Sequence, residues 1–211
     1  MGELLEKMRE LVINGKGEEL KKLVHQALDE GSEAKAIVDN GLLPGMDVVG
    51  KRMKVGDMFI PEVLLSARTM QGALDILKPL LSDKDAAGLG TFVIGTVEGD
   101  LHDIGKNLVA MMLEGAGFNV VNLGSGIKPQ EFVQAVKEHD PKILGMSALL
   151  TTTMPKMEKT INALEEAGLR EKIKIMAGGA PVTQDFVDKI GADAYGENAA
   201  YAVEKAKALL G

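Results

Sequence analysis

Residues 91–105 read TFVIGTVEGDLHDIG and join an apolar run to a helical pattern. The run Thr91–Val97 predicts a buried β-strand, and the apolar spacing that begins at Ile104 predicts a helix up to about Gly115. The connection between them contains the pattern Asp-x-His-x-x-Gly at residues 100–105. A pattern this short also occurs by chance, so its weight depends on what accompanies it.

Two further motifs follow at the ends of later apolar runs. Ser147-Ala148-Leu149 comes at the end of the predicted strand Ile143–Ser147, and Gly178-Gly179 comes just after the predicted strand Ile173–Ala177. The carboxyl ends of parallel strands share one edge of a sheet, and ligands bind beyond that edge. We therefore expect the three motifs to lie close together, independently of any family resemblance.

From Thr91 onward the chain alternates short apolar runs with helical segments and shows no hairpin signal. The predicted strands are Thr91–Val97, Asn119–Leu123, Ile143–Ser147, Ile173–Ala177 and Ala192–Tyr195. Helices are predicted to begin near Ile104, Pro129, Met154, Thr183 and Ala199. Repeats of this kind predict an α/β fold with a five-stranded parallel sheet covered on both faces.

The first part of the chain, up to about Leu81, shows helical periodicity throughout. Pro44 and Pro61 suit the first turns of two helices, and Ser32 is predicted to cap another. Such amphipathic segments pack together as a small antiparallel bundle. The polar, glycine-bearing stretch Ser82–Gly90 is typical of a linker. We therefore expect a helical domain at residues 1–84, a linker at 85–90 and an α/β domain at 91–211.

Composition excludes several classes of function. The formal net charge is −7 and no basic cluster is visible, so we expect no nucleic-acid partner. The chain has no cysteine, which excludes disulfides, thiolate zinc sites and cysteine nucleophiles. The acidic N-terminus lacks a signal peptide, and no apolar run approaches the roughly 18 residues of a membrane span. We expect a cytoplasmic protein without a membrane partner.

The chain has three histidines, and His102 has the most distinctive surroundings. His25 and His139 stand among charged residues of predicted helices and are interpreted as surface residues. His102 stands between Asp100 and Asp103 in a strand–helix loop. A carboxylate that accepts one imidazole N–H fixes the tautomer and leaves the other ring nitrogen for a metal ion. A loop histidine bonded only to a neighbouring aspartate is the simpler alternative.

Two other kinds of site fit the loop less well. A zinc or dinuclear site needs further His, Asp or Glu ligands, and no second histidine lies nearby in the sequence. A nucleotide site needs a phosphate-binding loop. The segment 96–100 has neither a Gly-x-Gly-x-x-Gly nor a Walker pattern, and its acidic residues would repel phosphate.

Taken together, the three motifs resemble the cobalamin-binding region of methionine synthase and the corrinoid methyl-carrier proteins of methyltransferase systems. The similarity covers nearly the whole chain. It implies a flavodoxin- or Rossmann-like cobalamin domain with a five-stranded parallel sheet, preceded by a helical-bundle cap domain. It also implies a cobalamin (corrinoid) cofactor with its cobalt, which is methylcobalamin in the loaded state.

The resemblance implies roles for individual residues of the α/β domain. His102 would be the metal ligand, replacing the nucleotide tail below cobalt, and Asp100 and Thr153 would complete a catalytic proton relay. Methionine synthase carries serine where this chain has Thr153. The implied cofactor-binding residues are Gly99, Asp100, Leu101, His102, Asp103, Ile104, Gly105, Ser147, Leu149, Thr151, Thr153, Gly178, Gly179 and Ala199.

The helical part also resembles the family's cap, which covers the methyl-bearing face of the corrin. The stretch Lys54–Pro61, KVGDMFIP, carries this similarity. The resemblance implies that Met53 and Ile60 shield the methyl group and that Asp39 lies near the corrin edge. Methionine synthase has phenylalanine at the position of Met53, and a flexible thioether can fill the same space.

The function implied by the resemblance is methyl transfer in one-carbon metabolism. The protein would accept a methyl group on cobalt from a substrate:corrinoid methyltransferase. It would then donate the group to a corrinoid:acceptor methyltransferase that serves a thiol or tetrahydrofolate, with a reductive activase as a further partner. Such a chain is a carrier subunit and not a complete catalyst alone.

Three rival functions remain open from the sequence. The first is the cobalamin-binding subunit of an adenosylcobalamin-dependent mutase, although no barrel accompanies this chain. The second is a cobalamin-binding sensor, although the chain has no tryptophan and no basic segment. The third is a flavodoxin-like receiver or binding domain, which would leave the three spaced motifs unexplained.

Overall fold

A computed structural model of the chain describes residues 2–81 and 88–211. The chain divides into two compact units, Met1–Gly88 with Met111–Gly117 and Leu89–Ala110 with Phe118–Gly211. Residues 82–87 of the predicted Ser82–Gly90 linker lie outside the described residues, and the domain limits 1–84, 85–90 and 91–211 stay a prediction. Within the described ranges, no helix is both long and apolar enough to cross a membrane.

The first unit is helical. Its elements are α1 Gly2–Ile13, α2 Gly17–Asp29, α3 Ala34–Ile37, a π-helical turn Val38–Leu42, α4 Leu43–Lys54, α5 Ile60–Leu77 and a 3₁₀ turn Lys78–Leu80. Pro44 and Pro61 lie in the first turns of α4 and α5, as predicted, since a missing N–H is harmless there. The predicted apolar stripes form the core, in which Met8, Val12, Leu20, Val24, Val49 and Val63 are fully buried.

The predicted cap at Ser32 is wrong. Helix α3 begins one residue later, with Glu33 at its N-cap and no side-chain capping bond. The reason is local, because the Ser32 N–H donates to the carbonyl of Ala27 at 2.9 Å and so helps to close the end of α2. Gly31, at φ +85°, makes that turn possible.

The second unit holds the sheet. Its strands are β1 Thr91–Thr96, β2 Asn119–Asn122, β3 Ile143–Ser147, β4 Lys174–Gly178 and β5 Ala194–Gly196. The helices that begin between or after them are α6 Ile104–Gly115, α7 Pro129–His139, α8 Pro155–Glu166, α9 Gln184–Lys189 and α10 Ala199–Ala208. All pairings are parallel, in the order β2-β1-β3-β4-β5, which confirms the predicted five-stranded parallel sheet.

The last strand is shorter than predicted. Strand β5 begins at Ala194 instead of Ala192, because the Ala192 N–H donates to Val187 and closes the end of α9. The sheet core is mainly aliphatic. Phe92 is buried and meets Phe118 edge to face, with ring centroids 5.9 Å apart, a favoured aromatic geometry.

The register aligns the strand ends that carry the motifs. Thr96 of β1 pairs with Ser147 of β3, Ser147 with Gly178 of β4, and Gly178 with Gly196 of β5. The chain leaves β1 for β2 on one side of the sheet, while β3 lies on the other side of β1. This is the topological switch point at which doubly wound sheets bind ligands. Residues 97–103, which contain His102 and are called the histidine loop below, begin there.

Candidate functional site

The site is organised by the carboxylate of Asp100, which is fully buried and accepts five hydrogen bonds. Oδ1 accepts the backbone N–H of His102 at 3.1 Å and its Nδ1 at 2.8 Å. Oδ2 accepts the N–H groups of Leu149 at 2.7 Å and Leu150 at 3.1 Å, and the hydroxyl of Thr153 at 2.8 Å. One side chain thus ties the loop after β1 to the loop after β3.

These bonds decide the charge of Asp100. Burial raises the pKa of this carboxyl, but hydrogen bonds from the Leu149 N–H, the His102 ring, the Thr153 hydroxyl and the His102 N–H together hold the pKa well below its usual range. Donors that favour the ionised form outweigh the loss of water. Asp100 is therefore a carboxylate at neutral pH and can only accept hydrogen bonds.

The charge of Asp100 in turn fixes the tautomer of His102. Because a carboxylate only accepts, Nδ1 must carry the proton in the 2.8 Å bond between the two side chains. The lone pair of neutral His102 then lies on Nε2. The imidazole side chain is 52% exposed, and buried Thr96 holds the backbone of His102 through a 3.0 Å bond to its carbonyl. The half-exposed ring therefore keeps one lone pair, on Nε2, for a metal ion.

Thr153 connects Asp100 to the turn after β3. Its hydroxyl oxygen lies 2.8 Å from Asp100 Oδ2 and 2.8 Å from the carbonyl oxygen of Leu150, and the side chain is buried. A hydroxyl has one proton, so it donates to one of these acceptors at a time. His102, Asp100 and Thr153 therefore form a connected chain of hydrogen bonds, and its role as a proton relay stays a prediction.

The donor set has a consequence for metal binding. Among residues 2–81 and 88–211, no group of three His, Cys or carboxylate side chains could hold a metal ion. A zinc site of the kind considered above needs at least three protein ligands. A metal ion bound by His102 would therefore bring most of its ligands with it, as a metal in a macrocycle does.

Large apolar side chains lie next to His102 in the chain and also in the loop after β3. Leu101 and Ile104 are 77% and 85% exposed, and Leu149 and Leu150 are also exposed. Exposed apolar residues that cluster near a polar group mark ligand or partner sites. A ligand with apolar surface suits this edge of the sheet.

The two glycines after β4 are required by the backbone. A Cβ on Gly178 would lie 2.6 Å from the carbonyl oxygen of Gly196. A Cβ on Gly179, where φ is +125°, would overlap the carbonyl oxygen of Ala148. Close packing of three strand ends therefore explains both glycines, and a contact with a ligand stays a prediction.

The remaining predicted residues of the second unit differ in burial. Ser147 ends β3 half-buried, while Thr151 and Gly105 are exposed. Gly99 turns the chain before Asp100 at φ +82°. Ala199, the first residue of α10, is buried and offers little surface to a ligand.

Three predicted residues belong to the first unit. Met53 is half-buried on α4, and Ile60 is exposed at the start of α5. Asp39 lies in the π-helical turn and pairs with Lys35 at 3.2 Å. Their roles at the corrin stay predictions.

Several residues of the edge were not predicted. The Leu150 N–H and the Thr96 hydroxyl hold Asp100 and His102 in place. Lys156, in the first turn of α8, pairs at 2.5 Å with Glu98 in the loop after β1. Lys106 is buried at the start of α6. Its position, four residues before buried Ala110 on an apolar helix face, is the sequence signal that could have revealed it.

Comparisons with known proteins agree with this geometry. The B12 binding domain family matches residues 90–204, and a second B12 binding domain family matches residues 4–78. The chain is 42% identical to the trimethylamine corrinoid protein of Methanosarcina barkeri, covering 99% of this chain and 97% of that protein. It is 43% identical to the dimethylamine corrinoid protein of the same organism, covering 99% and 98%.

Solved structures give the same result. A cobalamin-binding protein from Desulfitobacterium hafniense is 32% identical, with a TM-score of 0.81 and 98% of each chain covered. The methanol:cobalamin methyltransferase complex of Methanosarcina barkeri contains a chain that is 34% identical, with a TM-score of 0.89, covering 99% of this chain and 80% of that one. The chain therefore belongs to the family of B12-binding corrinoid proteins.

Proposed function

We propose that this protein holds a corrinoid at the carboxyl edge of its sheet and carries a methyl group on cobalt between two methyltransferases. The observation that carries the proposal is the bond from the Nδ1–H of His102 to a buried, ionised Asp100. This bond leaves the free lone pair of the ring on Nε2. When bound, the corrinoid supplies a cobalt ion that accepts and releases the methyl group, with methylcobalamin as the loaded form.

The residues at the edge fit this cofactor in chemistry. His102 would ligate cobalt through Nε2, and the exposed Leu101 and Ile104 would meet the apolar corrin. Ser147, Leu149, Thr151 and the glycine pair at 178–179 would contact the displaced nucleotide tail. On the first unit, Met53, Ile60 and Asp39 would cover the upper face.

The hydrogen bond between Asp100 and His102 would give the site a way to control ligation. Asp100 accepts the Nδ1–H of a neutral imidazole whose lone pair lies on Nε2. A carboxylate in this position makes a ligating histidine more basic and so a stronger metal ligand. The lone pair on Nε2 could bind a metal ion or a proton but not both at once, while Nδ1 stays bonded to Asp100 at 2.8 Å. Ligation by His102 and proton uptake at Nε2 are therefore mutually exclusive.

The proposed methyl donor is a methylated amine. The support is the 41–44% identity to trimethylamine and dimethylamine corrinoid proteins over nearly their whole length. The proposed partners are a substrate:corrinoid methyltransferase, an acceptor-side methyltransferase serving a thiol or tetrahydrofolate, and a reductive activase. The comparisons do not favour the mutase subunit or the sensor. A cytoplasmic location is part of the proposal.

The test is methyl loading. The protein is loaded with cobalamin, reduced, and incubated with ¹⁴C-methyl-labelled trimethylamine, dimethylamine, monomethylamine or methanol and the methyltransferase specific for each. We expect label to co-elute with the protein for at least one amine and to be absent with apo protein. No label from any donor, while the trimethylamine corrinoid protein of Methanosarcina barkeri is labelled in parallel, would contradict the carrier function.

A further inference from the structure

A buried cation lies beside the histidine loop and has no role in the mechanism above. Lys106, in the first turn of α6, is only 3% exposed. Its ammonium donates to the side-chain oxygens of Asn107 and Asn122, each at 2.6 Å. Burial lowers the pKa of Lys106, while the charge of nearby Asp103 acts in the opposite direction. Burying an ammonium is costly unless it is well bonded, so the position calls for an explanation.

The two asparagines extend the contact in two directions. Asn122 ends β2, and its Oδ1 also accepts the Gly124 N–H at 3.1 Å, while its Nδ2 donates to Asn107 at 3.0 Å. Asn107 donates through Nδ2 to the carboxylate of Asp103 at 3.0 Å. Lys106 thus joins the end of β2 to the first turn of α6 and, through Asn107, to Asp103.

Asp103 is the residue directly after His102. Its carbonyl accepts the Asn107 N–H at 2.7 Å and so begins α6. The loop after β2 also returns to the histidine loop, because the Gly126 N–H donates to the carbonyl of Asp100 at 3.0 Å. The loop that carries His102 is therefore held by the Asp100 carboxylate and, through Asp103, by a network centred on Lys106.

We propose that Lys106 is a positioning residue for His102, acting through Asn107, Asn122 and Asp103 to fix the loop so that Nε2 stays directed at the metal. The inference rests on the proposed function, because it requires His102 to ligate cobalt. An apolar side chain of similar length could fill the same space without the cost of a buried charge. A stabilising role alone would therefore not require lysine, whereas aligned polar bonds restrict the direction of the loop.

The test measures how firmly His102 holds cobalt. Protein labelled with ¹⁵N in histidine only is loaded with cobalamin and poised as Co(II). An axial ¹⁵N nitrogen splits the electron paramagnetic resonance lines in two, whereas natural-abundance ¹⁴N splits them in three. Titration with unlabelled imidazole then gives the concentration that replaces His102 at half of the cobalt ions. We expect Lys106→Met to lower this concentration about tenfold, an effect typical of outer-sphere partners.

The control is Lys137→Met at an exposed position of α7, which should leave the concentration unchanged. Thermal unfolding of the apo proteins separates positioning from stability. A lower melting temperature in Lys106→Met with an unchanged imidazole titration would overturn the inference. Should Lys106→Met fail to fold, Asn122→Leu removes one of the two acceptors of Lys106 at an exposed position. The imidazole concentration is again expected to fall, and an unchanged concentration would overturn the inference.

The outcomes distinguish this inference from the proposed function. If the parent protein shows no two-line splitting, His102 does not ligate cobalt, and both proposals fail. If the parent shows the splitting and the Lys106→Met titration matches it within twofold, the inference alone fails.

Discussion

Replacement of Asp100 by asparagine tests the organisation of the site most sharply. The carboxylate accepts five hydrogen bonds through two oxygens, and an amide keeps only one oxygen. With that oxygen at the Oδ2 position, the bonds from Leu149, Leu150 and Thr153 survive. The amide NH₂ then faces the backbone N–H and Nδ1 of His102, where two donors were bound before.

The imidazole can adapt only by moving its proton. If Nδ1 becomes the acceptor of the new NH₂ group, the proton of His102 passes to Nε2, the nitrogen that would bind cobalt. The backbone N–H of His102 loses its acceptor. A lost bond to a charged group costs about 1.5–3 kcal/mol, and the surviving bonds weaken without the charge. We expect the free energy of unfolding of apo Asp100→Asn to fall by about 3 kcal/mol.

Two assays measure these effects separately. Urea denaturation of the apo protein gives the loss of stability, and electron paramagnetic resonance of the Co(II) cobalamin form gives ligation by His102. We expect ligation to weaken roughly 10- to 100-fold while cobalamin still binds. Asp140→Asn is a matched control, because Asp140 ends α7 with φ +41°, a conformation that asparagine tolerates. A resonance spectrum of Asp100→Asn identical to that of the parent would refute the reasoning.

Because the pKa of folded Asp100 is lowered, its stabilisation is present above the unfolded pKa of about 3.9 and is lost as pH falls toward the folded value. Urea curves should therefore show the parent's advantage over Asp100→Asn shrinking below about pH 4, and a constant difference would contradict this. Thr153→Val should lower the free energy of unfolding by about 2 kcal/mol, and Thr153→Ser by less than half of that because serine keeps the hydroxyl. Equal losses in urea denaturation would show that the hydroxyl does not supply the stabilisation. The new methyl group of Gly179→Ala would overlap Ala148, whereas that of Gly168→Ala, at φ +67°, would meet open space. Gly179→Ala should therefore melt at a lower temperature than Gly168→Ala, and equal melting temperatures would contradict the close packing.

The sequence predicts the sheet well because parallel strands leave strong local signals. Each strand is a short apolar run, and the motifs after β1, β3 and β4 share an edge because the register aligns Thr96, Ser147 and Gly178. The bond between Asp100 and His102 is also foreseeable, since the two residues are close in the chain.

Other parts of the site depend on contacts that residue types do not encode. Every residue except proline has a backbone N–H, so nothing in Leu149 or Leu150 marks their N–H groups as donors to Asp100. The network of Lys106 depends on Asn122, which is distant in sequence and reaches α6 only when β2 pairs with β1. The failed cap at Ser32 shows a similar limit, because its N–H serves the preceding helix.

The most direct measurement is an electron paramagnetic resonance spectrum of the Co(II) cobalamin form of ¹⁵N-histidine-labelled protein, recorded beside a His102→Ala variant. Ligation of cobalt by His102 predicts two-line splitting by one axial ¹⁵N nitrogen in the parent and its loss in His102→Ala. Three-line splitting in the parent, or two-line splitting that persists in the variant, would contradict ligation of cobalt by His102.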